Sequence, residues 1–272
     1  MNLIYGLKYQ NNDFSESSSY NLNSAISNIG IEYDLIDNLL HNLSLSYELR
    51  DYEISDRSTV SSSILSSEGT NAVFKINNLL EYNKLNSFLR PTQGYLIRLS
   101  SILSPITNST DGYIKNVFTG RKYLKLNKNI ISIQSKIGNI TSLQDESIVE
   151  SDKFSLGGRW LRGFDSFGAG SRNSRTSYVG GNNMFVTKID FSRSIFNNND
   201  NPIDLYFFTD FGVVSGNKSQ PTYSDNKFRS SYGYGIKFYT IIGPIGFSWA
   251  YPISEETYDI KRRFLFSVGN LN

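Results

Sequence analysis

The sequence contains no cysteine and a single histidine, His41. Without cysteine the chain cannot form a disulfide, a thiolate metal site or a cysteine nucleophile. One histidine, lying beside Asn42 with no companion motif, gives no basis for a histidine-dependent triad or a multi-histidine zinc site. The sequence therefore predicts a protein that is not an enzyme and uses no metal or cofactor, and it predicts that His41 is an exposed turn residue just before a strand.

An excess of one charge and long apolar runs are also lacking. The 27 Lys and Arg residues nearly balance the 25 Asp and Glu residues, for a formal net charge of +2. Nucleic acid is therefore not an expected partner, because neutralising phosphates needs a clear basic excess or a basic stripe. The richest apolar window, residues 241–253, is broken by two glycines and two prolines. This excludes a membrane-spanning helix, which needs roughly 18 apolar residues in succession, but a β-barrel can still cross a membrane.

Apolar and polar residues alternate with a period of two along most of the chain. The clearest segments are residues 203–213 and 228–239, where bulky apolar residues share one face and small or charged residues share the other. Comparable segments predict about twelve strands, including a less regular one over residues 113–126, and no amphipathic helix. Turn signals lie between the strands at Pro91–Gly94, Asp111-Gly112, Asn197–Pro202 and Gly243-Pro244.

Two all-β architectures can bury one face of so many strands. A soluble sandwich or barrel turns the apolar face inward, whereas an outer-membrane barrel turns it outward to lipid and lines a wet lumen with the polar face. Aromatic residues make up 14% of the chain, and many Tyr and Trp residues lie near strand ends, as in the interfacial girdles of membrane barrels. The pattern favours an antiparallel transmembrane β-barrel over a soluble β protein.

Residues 140–181 break the alternation and form an unusually long connection rich in Gly, Ser, Arg and Asn. Composition alone favours a mobile surface loop. Within this segment, however, residues 154–164 read Phe-Ser-Leu-Gly-Gly-Arg-Trp-Leu-Arg-Gly-Phe. Bulky aromatic residues and arginines beside glycines indicate a loop that packs into another part of the protein.

This run resembles the G-G-x-x-[VIL]-R-G-[FY] loop signature of BamA-like outer-membrane assembly barrels. The residues at its defined positions are Gly157, Gly158, Leu161, Arg162, Gly163 and Phe164. Further similar motifs follow in the family's order: the R-P-T-x-G turn at residues 90–94, the F-x-D-x-G strand at 208–212, the penultimate-strand motif at 242–252 and the last strand from Arg263 to Gly269. The resemblance extends from about residue 90 to the end of the chain.

The resemblance implies that residues 1–272 supply the last twelve strands of a barrel of sixteen, with seven strands before the long loop and five after it. The loop would fold inward, and its arginine would contact the acidic residue of the F-x-D-x-G strand. Here that pair is Arg162 and Asp210, with Phe208 and Gly212 beside the aspartate. Alternation independently places Asp210 on the polar face of its strand. The first four strands, the POTRA domains and a signal peptide have no counterpart, which predicts a C-terminal portion of a larger protein.

The implied function is assembly and insertion of proteins in the bacterial outer membrane, by strand templating at a lateral seam. Its partners would be the outer-membrane bilayer, nascent outer-membrane proteins and, at full length, periplasmic assembly lipoproteins. Recognition of the terminal strand would involve Phe264, Phe266 and Gly269, although the chain ends on Asn272 where such barrels usually end on an aromatic residue. Alternatives are a TamA-like or two-partner secretion barrel, or a plain porin or structural surface protein.

Overall fold

The computed structural model describes residues 1–105, 112–144, 148–174, 177–196, 202–216, 221–223, 226–240 and 243–269. The helical segments are α1 (Ser15–Ser18), α2 (Ser62–Ser66) and a 3-10 turn (Glu150–Asp152). The strands are β1 (Asn2–Asp13), β2 (Tyr20–Ile36), β3 (Leu39–Ile54), β4 (Gly69–Asn83), β5 (Gly94–Ser104), β6 (Tyr113–Leu126), β7 (Asn129–Ser142), β8 (Gly163–Phe164), β9 (Arg172–Ser174), β10 (Ser177–Tyr178), β11 (Asn183–Phe196), β12 (Ile203–Ser215), β13 (Arg229–Thr240), β14 (Gly243–Ser254), β15 (Lys261–Arg262) and β16 (Phe264–Val268).

Twelve of these strands form one antiparallel sheet in which each strand pairs with its neighbours along the chain. The order is β1 to β7, then β11, β12, β13, β14 and β16. This confirms the predicted all-β fold of about twelve strands. Seven strands precede the long loop and five follow it. The loop was predicted at residues 140–181, but β7 ends at Ser142 and β11 begins at Asn183, so it comprises residues 143–182. Over the described residues the sheet is a curved wall that does not close, with β1 and β16 as its edges.

Side chains alternate between the two faces of the wall, and the apolar face is the exposed one. On β12, Phe207 is 65% exposed, whereas Asp210 is fully buried and faces the lumen enclosed by the wall. The same division holds on β13, where Tyr232 is exposed and Arg229 is buried. A soluble sandwich would bury the apolar face, so the wall has the arrangement of a membrane barrel. Among the described residues, no helix is long and apolar enough to cross a membrane.

Two short turns and one histidine differ from the prediction. The hairpins β2–β3 and β6–β7 turn at Asp37-Asn38 and Asn127-Lys128, where Asn38 and Asn127 have φ of 67° and 57°. Asparagine tolerates this left-handed conformation, so these dipeptides were turn signals that the sequence analysis missed. The predicted turn at Gly243-Pro244 is wrong, because both residues belong to β14 and pair with β13. The predicted turn at 197–202 lies almost wholly outside the described residues, as does Asp111.

The prediction of an exposed turn at His41 is also wrong. His41 is a half-buried residue of β3, paired with Tyr33 on β2. One ring nitrogen lies 2.7 Å from the Tyr33 hydroxyl, and the other lies 2.7 Å from Oδ1 of Asn78 on β4. The imidazole therefore bridges three strands as a structural residue of the wall.

The main hydrophobic core lies inside the wall, between the long loop and the inner faces of β6, β7, β11 and β12. Its buried side chains include Ile140, Leu156, Leu161, Phe164, Met184, Val186 and Val214. Because the loop supplies three of these residues, it packs against the wall as an interior element and not as a surface connection. The mobile surface loop that composition favoured is therefore not what the structure shows.

Candidate functional site

The Gly-Gly motif bends the long loop sharply before it meets the wall. Gly157 has φ of +121°, and a Cβ at this position would lie 1.9 Å from the carbonyl oxygen of Asp165. Only glycine fits such a left-handed and crowded position. Gly158 also has positive φ, and its N–H donates to the carbonyl of Phe164 at 2.9 Å. The two glycines thus fold residues 157–168 into a compact turn that presents Leu161 and Arg162 to the wall.

Arg162 binds the Asp210 carboxylate through three donors. Its backbone N–H and its Nε both donate to Oδ2, at 3.0 and 2.7 Å, and its Nη2 donates to Oδ1 at 2.5 Å. Arg162 is 4% exposed and Asp210 is fully buried. The bidentate fork of arginine matches a carboxylate in this geometry, and the charge on each group strengthens the hydrogen bonds. The structure therefore brings together the two residues that the sequence analysis paired.

Two further residues complete the charge network, and the sequence analysis did not name them. Nη2 of Arg162 also donates to Oδ1 of Asp190 on β11 at 2.6 Å, and Lys237 on β13 reaches Oδ2 of Asp190 at 3.2 Å. Burial opposes the charge on Arg162, but Asp190 and Asp210 together hold its pKa above the ordinary arginine value. The signal for Asp190 was available, because it lies between Ile189 and Phe191 on the polar face of an alternating strand.

The residues beside Asp210 line the buried site on the inner wall where residues 156–164 pack, which is called the seat of the loop below. The guanidinium carbon of Arg162 lies 3.6 Å from the ring centroid of Phe208, a cation–π contact. A Cβ on Gly212 would lie 2.8 Å from Cδ1 of Leu156, so glycine at this position makes room for the leucine. The exposed fraction of Leu161 is 0% and that of Phe164 is 1%. Each predicted loop and strand residue thus lies in one buried seat.

The motif also pairs with the segment that precedes the last strand. Strand β8 (Gly163–Phe164) forms an antiparallel pair with β15 (Lys261–Arg262). The Asp165 N–H donates to the Ile260 carbonyl, and the Ile260 N–H donates to the Gly168 carbonyl, each at 2.9 Å. Gly163, with φ of +97°, lies against Ser231 and Ala250 of the wall. The loop therefore contacts β12, β13 and β14 and the approach to β16.

The three predicted terminal-strand residues lie outside this seat. Phe264 and Phe266 are 45% and 53% exposed on the outward, lipid-facing side of β16. Gly269 follows the strand with φ of +81°, and its N–H donates to the Pro244 carbonyl at 2.8 Å. These three residues lie at an edge of the wall. Among the described residues, none of the three contacts Arg162, Asp190 or Asp210.

The R-P-T-x-G turn contacts β12 and β13 through its arginine. Arg90 binds Asp204 on β12 through Nη2 at 2.6 Å and Nε at 3.3 Å, and its guanidinium lies 5.1 Å from the ring centroid of Tyr239 on β13. Between this turn and Arg162 is a cavity of about 440 Å³. In the described parts of the chain, no group of three or more acidic or histidine side chains is placed to hold a metal ion. The site offers binding and positioning groups.

Comparisons with known proteins identify the family and the fold of the chain. The sequence profile of the Omp85 superfamily domain matches residues 1–271. Over 272 residues the chain is 23% identical to "Outer membrane protein assembly factor BamA" of Neorickettsia risticii (strain Illinois). The alignment covers 96% of this chain and 35% of the relative. The chain thus spans about a third of the length of that curated relative.

A solved structure shows the same fold. The crystal structure of BamA from Haemophilus ducreyi lacking POTRA domains 1-3 superimposes with a TM-score of 0.82 at 20% identity, covering 97% of this chain and 57% of the other. The profile match extends the likeness to the first ninety residues, where the sequence analysis found only alternation. Because the profile matches nearly the whole chain, the chain belongs to the Omp85 superfamily.

Proposed function

We propose that this chain is the membrane-embedded part of an outer-membrane protein assembly factor, located in the bacterial outer membrane. The observation that carries the proposal is the buried contact of Arg162 with Asp210 and Asp190, which seats the signature loop inside the wall. The name of the curated relative, an outer membrane protein assembly factor, supports the same proposal.

The proposed mechanism is templating at the edge strand β16. This strand pairs with β14 over five residue pairs, from Trp249–Phe264 to Ile245–Val268. In such templating, backbone N–H and C=O groups on the other edge of this strand would recruit a strand of a nascent outer-membrane protein. Phe264 and Phe266 point to the lipid side, where they can pack against outward side chains of the incoming strand.

The seated loop would hold the approach to β16 in place during templating. Because β8 pairs with β15 immediately before β16, displacement of the motif moves the backbone that leads into the edge strand. The partners of such a barrel are the outer-membrane bilayer, nascent outer-membrane proteins and, on the periplasmic side, assembly lipoproteins. The function needs no catalytic residue, since templating forms hydrogen bonds and no covalent bond.

The test is depletion of the protein in a bacterium that carries it, with complementation by variants. We expect depletion to lower the amounts of many other folded outer-membrane proteins, and wild type to restore them. Arg162→Ala should fail to restore them at a normal level of the variant itself. Arg57→Ala, which removes an exposed ion pair with Glu68 at 2.6 Å, is the matched control and should complement fully.

Two outcomes would contradict the proposal, and a third would restrict its mechanism. Unchanged outer-membrane proteins together with steady ion conductance of the purified protein would indicate a porin. Loss of one secreted protein alone would indicate a translocation barrel. An antibody against residues 171–178 would also give the mass of the native protein: a species at 30.8 kDa, with no receiving domains, would require a templating mechanism that works from the barrel alone.

A further inference from the structure

The first half of the long loop has a second buried attachment, on the opposite side of the wall from Asp210. Asp152, in the 3-10 turn, accepts two hydrogen bonds from Arg50 on β3, from Nη1 at 2.7 Å and from Nη2 at 2.9 Å. The Tyr113 hydroxyl on β6 donates to the same carboxylate at 2.9 Å. The side chains of Arg50 and Asp152 are only 6% and 12% exposed. This is a bidentate ion pair between residues 102 positions apart.

The neighbours of Asp152 join the same attachment. Its backbone carbonyl accepts a hydrogen bond from Lys115 at 2.6 Å, and the Ser151 hydroxyl lies 2.7 Å from the Tyr52 hydroxyl. Ser63 in α2 donates to the Glu150 carboxylate. Three consecutive loop residues are thus bound to β3, β6 and α2. A surface loop that rested on the wall by chance would not satisfy so many buried polar groups at once.

The wall side chains that bind Asp152 include Arg50 and Lys115, whereas those that bind Arg162 are carboxylates. Arg50 and Lys75 flank the first contact and share Glu48 between them, at 3.1 and 2.6 Å. Lys115 lies on the third side. At the other contact the partners of Arg162 are two aspartates. If the loop were reversed, Asp152 would lie beside Asp190 and Asp210, and Arg162 would lie beside Arg50. Each juxtaposition of like charges would cost free energy.

We propose that Asp152 is a positioning residue that fixes the first half of the long loop, so that two contacts of opposite polarity hold Arg162 on Asp210 in one orientation. Asp152 and Arg162 are ten positions apart, and the Gly157-Gly158 pair lies between them. With only the Arg162 contact, the glycine pair could act as a pivot. With both contacts made, the loop spans the lumen from β3 to β12. The consequence for assembly rests on the proposed function, but the positioning itself does not.

Trp160 provides a direct probe of this positioning. It lies between the two contacts, and its ring centroid is 4.1 Å from the Lys136 ammonium on β7. The chain has one other tryptophan, Trp249, which is 39% exposed on the outward face of β14. The Trp249→Phe substitution leaves Trp160 as the single tryptophan fluorophore. Its emission wavelength and its quenching by acrylamide then report whether the loop is seated.

The experiment compares Asp152→Asn with Arg57→Gln in the purified Trp249→Phe protein. Asparagine keeps the size of aspartate but loses the charge, and Arg57→Gln removes an exposed ion pair of similar length nearby. We expect Asp152→Asn to shift Trp160 emission to longer wavelength and to increase its quenching, while the heat-modifiable folded band is retained. Arg57→Gln should leave both signals unchanged. Unchanged emission and quenching in folded Asp152→Asn would overturn the proposal.

A second variant covers the case in which Asp152→Asn does not fold. Arg50→Lys keeps the positive charge but loses the bidentate geometry, so it should give a smaller increase in Trp160 quenching. No increase in this variant would equally overturn the proposal. The fluorescence measurement needs no client protein. If the variants change Trp160 quenching as expected but the depletion test shows no role in assembly, the result counts against the proposed function alone.

Discussion

The backbone N–H of Arg162 and its guanidinium bind the same carboxylate, that of Asp210. Since the backbone and the side-chain end of one residue converge on one acceptor, the contact fixes both the position and the direction of the loop at that point. A side-chain contact alone would leave the backbone free to rotate about the Arg162 side chain. The ring of Phe208 lies against the guanidinium and holds it from a further side.

Asp210→Asn should destabilise the barrel strongly. The substitution leaves the Arg162 charge buried with only Asp190 as its counter-charge, and breaking a buried ion pair costs about 3–5 kcal/mol. We expect a loss near the lower end, because Asp190 remains. The free energy of unfolding in urea, measured in detergent, tests this. Asp34→Asn, which changes an exposed aspartate on β2, should alter it by less than about 0.5 kcal/mol, and an equal loss in both variants would contradict the argument.

Asp190→Asn should be destabilising on its own and non-additive with Asp210→Asn. Asp190 is shared by Arg162 and Lys237, so its removal weakens two contacts while Asp210 still holds the arginine. The coupling free energy of a double-mutant cycle at Asp190 and Asp210 should be about 0.5–3 kcal/mol, as for residues in one charge network. Additive losses would mean that the two carboxylates act on Arg162 independently.

Gly212→Ala should unseat the loop by overpacking. A Cβ at residue 212 would lie 2.8 Å from Cδ1 of Leu156 and 3.2 Å from Cγ2 of Val186, a crowding that typically costs about 1–3 kcal/mol. Gly120→Ala on β6 is the matched control, because its Cβ would meet only the Phe118 ring, at 3.6 Å. Unfolding free energies of the two variants test the difference. Adding Leu156→Val to Gly212→Ala should recover part of the loss, and no recovery would place the clash elsewhere.

The Asp152 contact should be insensitive to pH until the solution becomes strongly acidic. Burial opposes ionisation of this carboxyl, but Arg50 holds its pKa below the ordinary value of 3.8. A carboxyl whose pKa is lower in the folded than in the unfolded protein stabilises the fold fully at pH values above its unfolded-state pKa. That stabilisation is lost as the pH falls from there towards the folded-state pKa. Trp160 quenching should therefore be flat from about pH 8 to about pH 5 and should rise below about pH 4. A rise beginning near neutral pH would mean that another group controls the loop.

The wall was predictable from the sequence because alternation is a local property. The apolar residues of 203–213 and 228–239 specify which face of each strand meets lipid, without knowledge of any partner strand. His41 was misplaced because a lone histidine beside asparagine reads as a turn, whereas its role depends on Tyr33 and Asn78 of neighbouring strands. The missed turns at Asn38 and Asn127 carried a usable signal, since asparagine favours positive φ.

The site was only partly predictable. Arg162 and Asp210 were paired through a resemblance, since no local pattern links residues 48 positions apart. The contact of Arg50 with Asp152 depends on the curvature of the whole wall, which brings β3 and β6 to the loop. Neither residue lies in a motif, and each reads alone as an ordinary charge. Residues that meet across a lumen therefore escape any analysis that considers one strand at a time.

The pairing of β8 with β15 has a consequence for the order of folding. Gly163 and Phe164 find their partners in Arg262 and Lys261, almost a hundred positions later in the chain. Contacts so distant in sequence form late, because the intervening chain must first be arranged. The motif can be fully seated only after β11 to β14 have joined the wall and the segment leading into β16 has arrived. A seated loop therefore distinguishes a fully folded barrel from one that still lacks its last hairpin.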